Sequence, residues 1–278
     1  MPVLISPAEL AEALGSDTPP VVLDVRWQLT AAGGPPFDGH AAYLTGHVPG
    51  ALFVDLETEL ASHGAPTDGR HPLPALDDLQ SAARRWGVRD GSSVVVYDGH
   101  GNLAAARAWW LLRWAGLADV RLLDGALPAW VAAGGELTTD DVVPTPGDVT
   151  LAGGALPTRD VAHVQAYDGV LVDARAAERF RGEAEPVDPK AGHIPGAVSA
   201  PTTGNLDAEG RFLPAAELRA RFAALGADGS RPVAAYCGSG VTAAHEVAAL
   251  AIAGIDAALY PGSWSQWSNL DLPVATGH

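Results

Sequence analysis

The sequence contains a single cysteine, Cys237, among its 278 residues. One cysteine cannot form an intramolecular disulfide bond, and it cannot build a Cys-rich zinc site. We therefore expect neither a bound metal ion nor a cofactor. Any redox chemistry must pass through Cys237 itself or through the thiol of a partner.

Basic residues and long apolar runs are also scarce. Lys and Arg total 17 against 33 Asp and Glu, which gives a formal net charge of −16 without any basic cluster. Nucleic acid and anionic membranes are therefore not expected as partners. No apolar run approaches the length of roughly 18 residues that crosses a bilayer, and the N-terminus lacks the features of a signal peptide. We expect a soluble, cytoplasmic protein.

Cys237 lies between an apolar, strand-like stretch and an alanine-rich, helix-forming one, within the run Val-Ala-Ala-Tyr-Cys-Gly-Ser-Gly-Val-Thr at 233–242. A structural cysteine is an inert small hydrophobe that does not need two glycines within three positions. A loop that wraps a sulfur anion does need them, because its backbone must approach closely with permissive φ angles. The N–H groups of such a loop and of a helix N-terminus favour a thiolate. The pattern predicts that Cys237 is a nucleophile.

The two halves of the chain resemble each other. Four segments recur in the same order, pairing 22–26 with 171–175, 46–51 with 192–197, 95–101 with 234–240 and, more weakly, 124–130 with 261–267. Such a register indicates an internal duplication. We predict homologous domains at 1–140 and 157–278, joined by a linker with Gly, Pro and Asp at 141–156. Asp98 stands where the second half has Cys237, so only the second domain is predicted to be catalytic.

Short apolar runs alternate with amphipathic segments in both halves. The first half begins with a capping box at 6–9 and continues with strands at 21–25 and 94–97 and helices at 76–86 and 104–115. The second half has a strand at 232–236 and a helix at 242–253. This alternation predicts an α/β fold in which each domain is a parallel sheet with helices on both faces. Ligands then bind at the carboxyl ends of the strands.

These features together resemble the tandem-domain sulfurtransferases, the family of rhodanese and 3-mercaptopyruvate sulfurtransferase. The resemblance is carried by both Gly-His-(Val/Ile)-Pro-Gly-Ala motifs, the Asp-x-Arg strand ends, the pair Trp109-Trp110, the Leu-Leu-Asp-Gly run and the loop at Cys237. It implies two rhodanese-like domains and a Cys237 persulfide. The persulfide would take sulfur from a small-molecule donor and pass it to cyanide or to a thiol, such as that of a thioredoxin-like protein.

The loop composition bears on the donor. Rhodanese-type loops resemble Cys-Arg-Lys-Gly-Val-Thr, whose basic side chains suit thiosulfate. The neutral loop here, Cys-Gly-Ser-Gly-Val-Thr, is similar to the mercaptopyruvate branch, so the resemblance implies 3-mercaptopyruvate as donor and pyruvate as product. Thiosulfate sulfurtransferase activity and a non-catalytic, persulfide-carrying binding module are the alternatives. A Cys-x5-Arg phosphatase is not expected, because position 243 is alanine.

The resemblance also assigns roles within and beside the loop. Ser239 would hydrogen-bond the substrate or relay a proton, and His71 of the first domain would form a polar relay with it. Glu57 would orient His71, with Asp55 as an equally placed candidate. The backbone N–H groups of the loop would hold the persulfide, at Gly238, Gly240, Val241 and Thr242.

Arg179 matches the family arginine that grips the substrate carboxylate, a task suited to its planar fork of donors. A second substrate arginine of the family is replaced by Val187 in this sequence. Lys190 and Arg181 are the nearby candidates to replace it. Trp27 and the closing motif at 262–267 are expected to pack in the core, with a cleft position as the alternative for Trp27.

Overall fold

The computed structural model describes residues 2–30 and 34–278. Within them the first half builds a five-stranded parallel sheet, ordered β1-β5-β4-β2-β3. Its strands are β1 (Leu4–Ile5), β2 (Val21–Asp24), β3 (Leu52–Phe53), β4 (Val94–Tyr97) and β5 (Val120–Leu123). Its helices are α1 (Pro7–Leu14), α2 (Gly39–Leu44), α3 (Leu56–Glu59), α4 (Leu76–Arg85), α5 (Ala105–Trp114) and α6 (Ala126–Ala132), with a 3-10 turn at Pro66–Asp68.

The second half repeats this plan with a four-stranded parallel sheet, ordered β7-β6-β8-β9 in the described residues. Its strands are β6 (Val170–Asp173), β7 (Val198–Ser199), β8 (Val233–Tyr236) and β9 (Ala257–Leu259). Its helices are α7 (Val161–Gln165), α8 (Ala177–Arg181), α9 (Ala215–Ala224), α10 (Val241–Ile252) and α11 (Ser263–Trp267), with a 3-10 turn at Thr202–Asn205. The predicted fold class is confirmed.

Residues along the fully buried central strands join two different apolar clusters in alternation, because successive side chains point to opposite faces of a sheet. Val94 and Val96 of β4 join one apolar cluster, whereas Val95 and Tyr97 join another on the outer face. The β8 strand divides in the same way between the inner cluster and its own outer one. The inner cluster draws on both halves, so both sheets are covered on two faces and share a core.

Helices α5 and α10 pack against each other at the centre of that shared core. Each follows the loop after the middle strand of its own sheet, β4 or β8, so the duplication places the two loops on either side of one interface. The predicted bounds of both helices are correct to within one residue. The capping box is also present, with the Glu9 N–H donating to Ser6 Oγ at 3.2 Å and the Ser6 N–H donating to Glu9 Oε2 at 2.8 Å.

The segment 141–156 contains no helix or strand. It is nevertheless anchored to the first half: Val149 and Leu151 are buried in the shared core, and the Ala152 N–H donates to the Ala115 carbonyl at 3.0 Å. The domain bounds of 1–140 and 157–278 stay a prediction. None of the helices in the described part of the chain combines the length and the apolarity that a bilayer crossing requires.

A polar cluster is buried beneath α10 at the interface. His245 Nε2 donates to the Gly101 carbonyl of the first half at 3.1 Å, so its Nδ1 accepts from Thr202 Oγ1 at 2.7 Å. Burial lowers the pKa of His245 to about 3. Glu246 Oε2 accepts from Asn205 Nδ2 at 2.7 Å, and its Oε1 has no hydrogen-bond partner among residues 2–30 and 34–278. Burial raises the pKa of Glu246 to about 7.

Glu246→Gln is expected to stabilise the protein at alkaline pH. Because the folded-state pKa of Glu246 lies above its ordinary value of 4.5, ionising the carboxyl costs stability as pH rises from about 4.5 to about 7. A neutral glutamine removes this cost. The free energy of unfolding of the variant, relative to wild type, should therefore rise by about 2 kcal/mol between pH 5 and pH 8.

Urea unfolding at the two pH values measures this difference. Glu217→Gln, at an exposed position of α9, is the matched control and should show no such rise. A stability difference for Glu246→Gln that does not vary with pH would contradict the prediction.

Candidate active site

Cys237 follows β8 directly, and its loop leads into α10. The side chain is 1% exposed, and the Gly240 N–H donates to Cys237 Sγ at 3.1 Å. Gly240 has a left-handed φ of +81°, and a Cβ on it would lie 2.5 Å from the Pro261 carbonyl oxygen. Only glycine fits this conformation and this space. The second glycine after Cys237 is therefore what allows the backbone to donate to the sulfur.

Helix α11 holds the loop from the other side. The Trp264 N–H donates to the Cys237 carbonyl at 2.9 Å, and the Ser265 N–H donates to the Gly238 carbonyl at 2.8 Å. Ser263 Oγ accepts the Cys237 N–H at 3.1 Å, and Ser263 has a φ of +52°, which is rare outside glycine. The closing motif packs in the core as predicted, and it also positions the loop.

A hydrogen-bonded chain crosses from the first half to Ser239. Ser239 Oγ lies 2.7 Å from His71 Nδ1, and His71 Nε2 lies 3.2 Å from Glu57 Oε1. The carboxylate can only accept, so Nε2 of a neutral His71 carries the proton and Nδ1 accepts from the serine hydroxyl. The hydrogen bond from His71 lowers the pKa of Glu57. Asp55 does not take part, because it caps α3 by accepting N–H groups of that helix.

Trp27 belongs to this chain as well. Its Nε1 donates to Glu57 Oε1 at 2.7 Å, and its ring meets the His71 ring edge-on, with centroids 5.6 Å apart. It also lines the cavity over Cys237. The cleft position, which the sequence left as the alternative, is the one found.

The cavity over Cys237 has a volume of about 220 Å³ and is mainly apolar. Five of the residues expected there line it together with Cys237, namely Arg179, Gly238, Ser239, Val241 and Thr242. Gly240 does not line the cavity, but its N–H donates to Cys237 Sγ. The first half supplies part of the wall, with Trp27, Leu29, Arg70 and Leu103. The site is therefore assembled between the two halves.

Two arginines face the loop from different halves. A Cβ built on Gly238 would lie 3.2 Å from Arg70 Nη2 and 3.6 Å from Arg179 Nη1. The Asp188 carboxylate joins them, at 2.7 Å from Arg70 Nη1 and 3.2 Å from Arg179 Nη2. Arg179 also pairs with Glu185 at 2.6 Å. Arg70 was not predicted from the sequence, although its position directly before His71 was a signal that could have indicated it.

The expected replacements for the second family arginine are wrong. Lys190 Nζ donates to the Leu270 carbonyl at 2.7 Å, and Arg181 pairs with Glu183 at 2.7 Å. Neither residue lines the cavity over Cys237. Val187 lies against a separate, larger cavity of about 540 Å³ that has Arg70 in its wall. Arg70 of the first half lies in the wall of both cavities, a position that sequence spacing around Val187 could not indicate.

The corresponding loop of the first half holds a carboxylate. Asp98 Oδ1 accepts the N–H groups of His100 and Asn102, and Oδ2 accepts those of Ala104 and Ala105, at distances of 2.8–3.2 Å. Burial raises the pKa of Asp98 to about 6 despite these donors. The first half thus retains an anion-binding loop that its own side chain fills.

Comparison with known proteins agrees with this geometry. A family model described as "Rhodanese-like domain" matches the chain twice, over residues 6–133 and 160–270. The crystal structure of SseA from Escherichia coli, described as a rhodanese fold of 3-mercaptopyruvate sulfotransferases, matches with a TM-score of 0.81 at 31% identity. The match covers 95% of this chain and 99% of SseA.

Two bacterial relatives are similar over nearly their whole length. A Mycobacterium tuberculosis (strain H37Rv) protein described as "Putative thiosulfate sulfurtransferase SseB" is 50% identical over 272 residues, covering 96% of this chain and 94% of the relative. A Pseudomonas aeruginosa protein described as "Probable 3-mercaptopyruvate sulfurtransferase" is 47% identical over 288 residues, covering 99% and 98%. The names of these relatives divide between two sulfur donors.

Gly240→Ala should slow the reaction of Cys237 with iodoacetamide by about tenfold or more and reduce stability. A side chain at φ +81° costs about 1–3 kcal/mol, and the new Cβ forces the loop away from Pro261, which withdraws the N–H from the sulfur. Gly238→Ala is the matched control, because its Cβ would meet mainly the flexible ends of arginines. The alkylation rates are measured by mass spectrometry. Equal rates in the two variants would contradict the role of Gly240.

Proposed function

The chain belongs to the rhodanese family, and we propose that this sulfurtransferase uses 3-mercaptopyruvate as its preferred donor. Sulfur would pass through a Cys237 persulfide to a thiol or to cyanide, with release of pyruvate. The observation that carries the donor assignment is the chain of hydrogen bonds from Ser239 through His71 to Glu57, which ends beside the nucleophile.

In the first step the Cys237 thiolate attacks the sulfur atom of 3-mercaptopyruvate. A bond forms between the two sulfur atoms, and the bond from the donor sulfur to its carbon breaks. The electron pair of the broken bond goes to that carbon, which leaves as the enolate of pyruvate. Arg179 and Arg70 would hold the carboxylate of the donor, exchanging part of their present bonds to Glu185 and Asp188 for it.

The leaving enolate needs a proton, and this need distinguishes the two donors. Thiosulfate releases sulfite, which is stable as an anion without protonation at carbon. The Ser239 hydroxyl, supported by His71 and Glu57, is a positioned acid and base of the kind that accelerates proton transfer. A proton relay next to Cys237 therefore favours 3-mercaptopyruvate, because its leaving group must be protonated.

In the second step the acceptor takes the outer sulfur atom of the persulfide. A thiolate or cyanide attacks that sulfur, the bond between the two sulfur atoms breaks, and its electron pair returns to Cys237. The Gly240 N–H, already 3.1 Å from Sγ, would stabilise the sulfur anion in both steps. A thioredoxin-like protein is our candidate for the thiol acceptor. We place the reaction in the cytoplasm, where thiols are kept reduced.

Thiosulfate is the second candidate donor. It is favoured by the name of the Mycobacterium tuberculosis relative and by the two arginines beside Gly238, which suit a sulfonate as well as a carboxylate. Against it, the loop from Gly238 to Thr242 carries no basic side chain. The third hypothesis is a non-catalytic module that carries a persulfide.

Measurement of kcat/KM for both donors, with cyanide as acceptor, tests the assignment. Wild type should prefer 3-mercaptopyruvate. Ser239→Ala should lose about 10²-fold in kcat/KM with 3-mercaptopyruvate, because the relay is cut, and should lose far less with thiosulfate. Ser230→Ala, an exposed serine of the same domain, is the matched control. A wild-type preference for thiosulfate would overturn the donor assignment while leaving the persulfide intact.

The Cys237→Ser variant distinguishes a catalytic enzyme from a non-catalytic carrier of sulfur. The variant should not release pyruvate, since the nucleophile is gone. Its mass should also not increase by about 32 Da, the mass of one bound sulfur atom. Pyruvate release that persists would refute the persulfide mechanism. In wild type, a persulfide that forms without turnover would identify a carrier module.

Arg70→Met should raise KM for 3-mercaptopyruvate by about tenfold and change kcat little, because a charge-assisted contact to the substrate carboxylate is lost. Arg181→Met is the matched control, since Arg181 pairs with Glu183 outside the cavity. Steady-state kinetics measure both variants. An unchanged KM in Arg70→Met would exclude Arg70 from the donor site.

A further inference from the structure

Arg107 is a fully buried cation between the two halves. It lies near the start of α5 in the first half, and its relative exposure is 0%. Arginine is almost never fully buried without a paired charge, because removing a guanidinium from water is costly. The groups that surround Arg107 therefore indicate why the charge is kept there.

Backbone carbonyl groups surround Arg107. Its Nε donates to the Leu60 carbonyl at 3.2 Å, and its Nη2 donates to the carbonyls of His71 at 2.9 Å and Pro72 at 3.2 Å. Its Nη1 donates to the Gly240 carbonyl at 3.2 Å. In residues 2–30 and 34–278, no carboxylate forms an ion pair with it. Each nitrogen of Arg107 donates to at least one carbonyl, but the carbonyls do not neutralise its charge.

Gly240 connects Arg107 to the nucleophile. Its carbonyl accepts from Arg107, and its N–H donates to Cys237 Sγ at 3.1 Å. A Cβ at Gly240 would lie 3.2 Å from Arg107 Nη1, so the guanidinium lies directly against the residue that binds the sulfur. Burial lowers the pKa of Arg107 to about 10, and the negative charge of Cys237 opposes that shift. Arg107 therefore contacts the residue whose N–H donates to Cys237 Sγ.

The other cations around Cys237 already have carboxylate partners. Three arginines line its cavity, and each pairs with at least one acid at 2.6–2.7 Å: Arg70 with Asp188, Arg175 with Asp173, and Arg179 with Glu185. These three pairs cancel in charge.

Among the remaining titratable groups near the loop, the Glu57 carboxylate is a half-exposed anion, whereas burial shifts the groups on α10 and β8 toward their neutral forms. Glu57 is hydrogen-bonded to His71 at the rim. On α10, burial shifts both His245 and Glu246 toward their neutral forms, with a pKa of about 3 for His245 and about 7 for Glu246. The Tyr236 pKa is also raised by burial, so this side chain is neutral. Arg107 is thus a cation near Cys237 that forms no ion pair with an acid in the described residues.

We propose that Arg107 is the buried counter-charge of the Cys237 thiolate and persulfide, supplied across the interface by the half that has no nucleophile. It acts as a positioning residue: it does not touch the substrate, and it holds Gly240 so that the Gly240 N–H meets the sulfur. This inference concerns the reactive site of the proposed function and rests on Cys237 being its nucleophile. It does not depend on the identity of the donor.

The test is the pH dependence of Cys237 alkylation by iodoacetamide, read by mass spectrometry, where the single cysteine makes the signal unambiguous. Arg107→Met should raise the pH midpoint of alkylation by about one unit, the usual effect of removing a nearby opposite charge. Arg107→Lys keeps the charge with fewer hydrogen bonds, and its midpoint should stay near that of wild type. Arg113→Met is the control, since Arg113 lies on the same helix and donates to the Ala118 carbonyl away from the site.

Near-ultraviolet circular dichroism and urea unfolding establish that each variant is folded before alkylation. An Arg107→Met midpoint equal to that of wild type would overturn the proposal. So would an Arg107→Lys midpoint raised as far as that of Arg107→Met, because hydrogen bonding alone would then account for the effect. If Arg107→Met does not fold, Arg107→Lys decides: a wild-type midpoint supports the charge, and one raised by about one unit refutes it.

These outcomes are separate from the fate of the proposed function. Alkylation uses no sulfur donor, so a preference for thiosulfate leaves the role of Arg107 unchanged. Conversely, a wild-type protein that releases pyruvate without forming a persulfide would remove the proposed function, whatever the alkylation profiles show.

Discussion

The central physical constraint in this molecule is the stabilisation of a sulfur anion where water is excluded. Cys237 is 1% exposed, so a negative charge that develops on its sulfur during the reaction must be stabilised by the protein. The Gly240 N–H meets it directly, and Gly240 can do so because it alone tolerates both the left-handed backbone and the proximity of Pro261. Helix α11 then fixes the loop by binding the carbonyls of Cys237 and Gly238. The conformation of the loop after β8 and its contacts with α11 therefore follow from this requirement.

The duplication shows the same requirement met in two ways. In the first half the loop after the middle strand binds the carboxylate of Asp98 through four backbone N–H groups. In the second half the equivalent loop binds a sulfur atom that can react. The Asp98 carboxylate occupies the loop of the first half. Other side chains of that half line the interface with the second half. The contributions of the first half to the site are Trp27, Glu57, Arg70, His71 and Arg107, and none of them depends on a nucleophile in its own loop.

The fold and the nucleophile were open to sequence reasoning because both rest on local patterns. The strands and helices follow from apolar periodicity, and glycines beside a lone cysteine indicate a backbone that binds an anion. Glu57 and His71 were named only through resemblance, since their separation from Ser239 in the chain exceeds 160 residues. Arg70 and Arg107 were not found. Their significance lies in which charges they face, and no spacing within one segment encodes that.

The duplicated α/β architecture and the membership of a sulfurtransferase family followed from the amino-acid sequence, which also predicts Cys237 as the nucleophile. Tertiary structure alone decided that Glu57 rather than Asp55 meets His71, because Asp55 is used to cap α3. It also decided that Arg70, rather than Lys190 or Arg181, stands beside Arg179. The physical reason is the same in each case. Electrostatic partners are chosen by distance in the folded molecule, and the packing of α5 against α10 brings together groups that the chain keeps far apart.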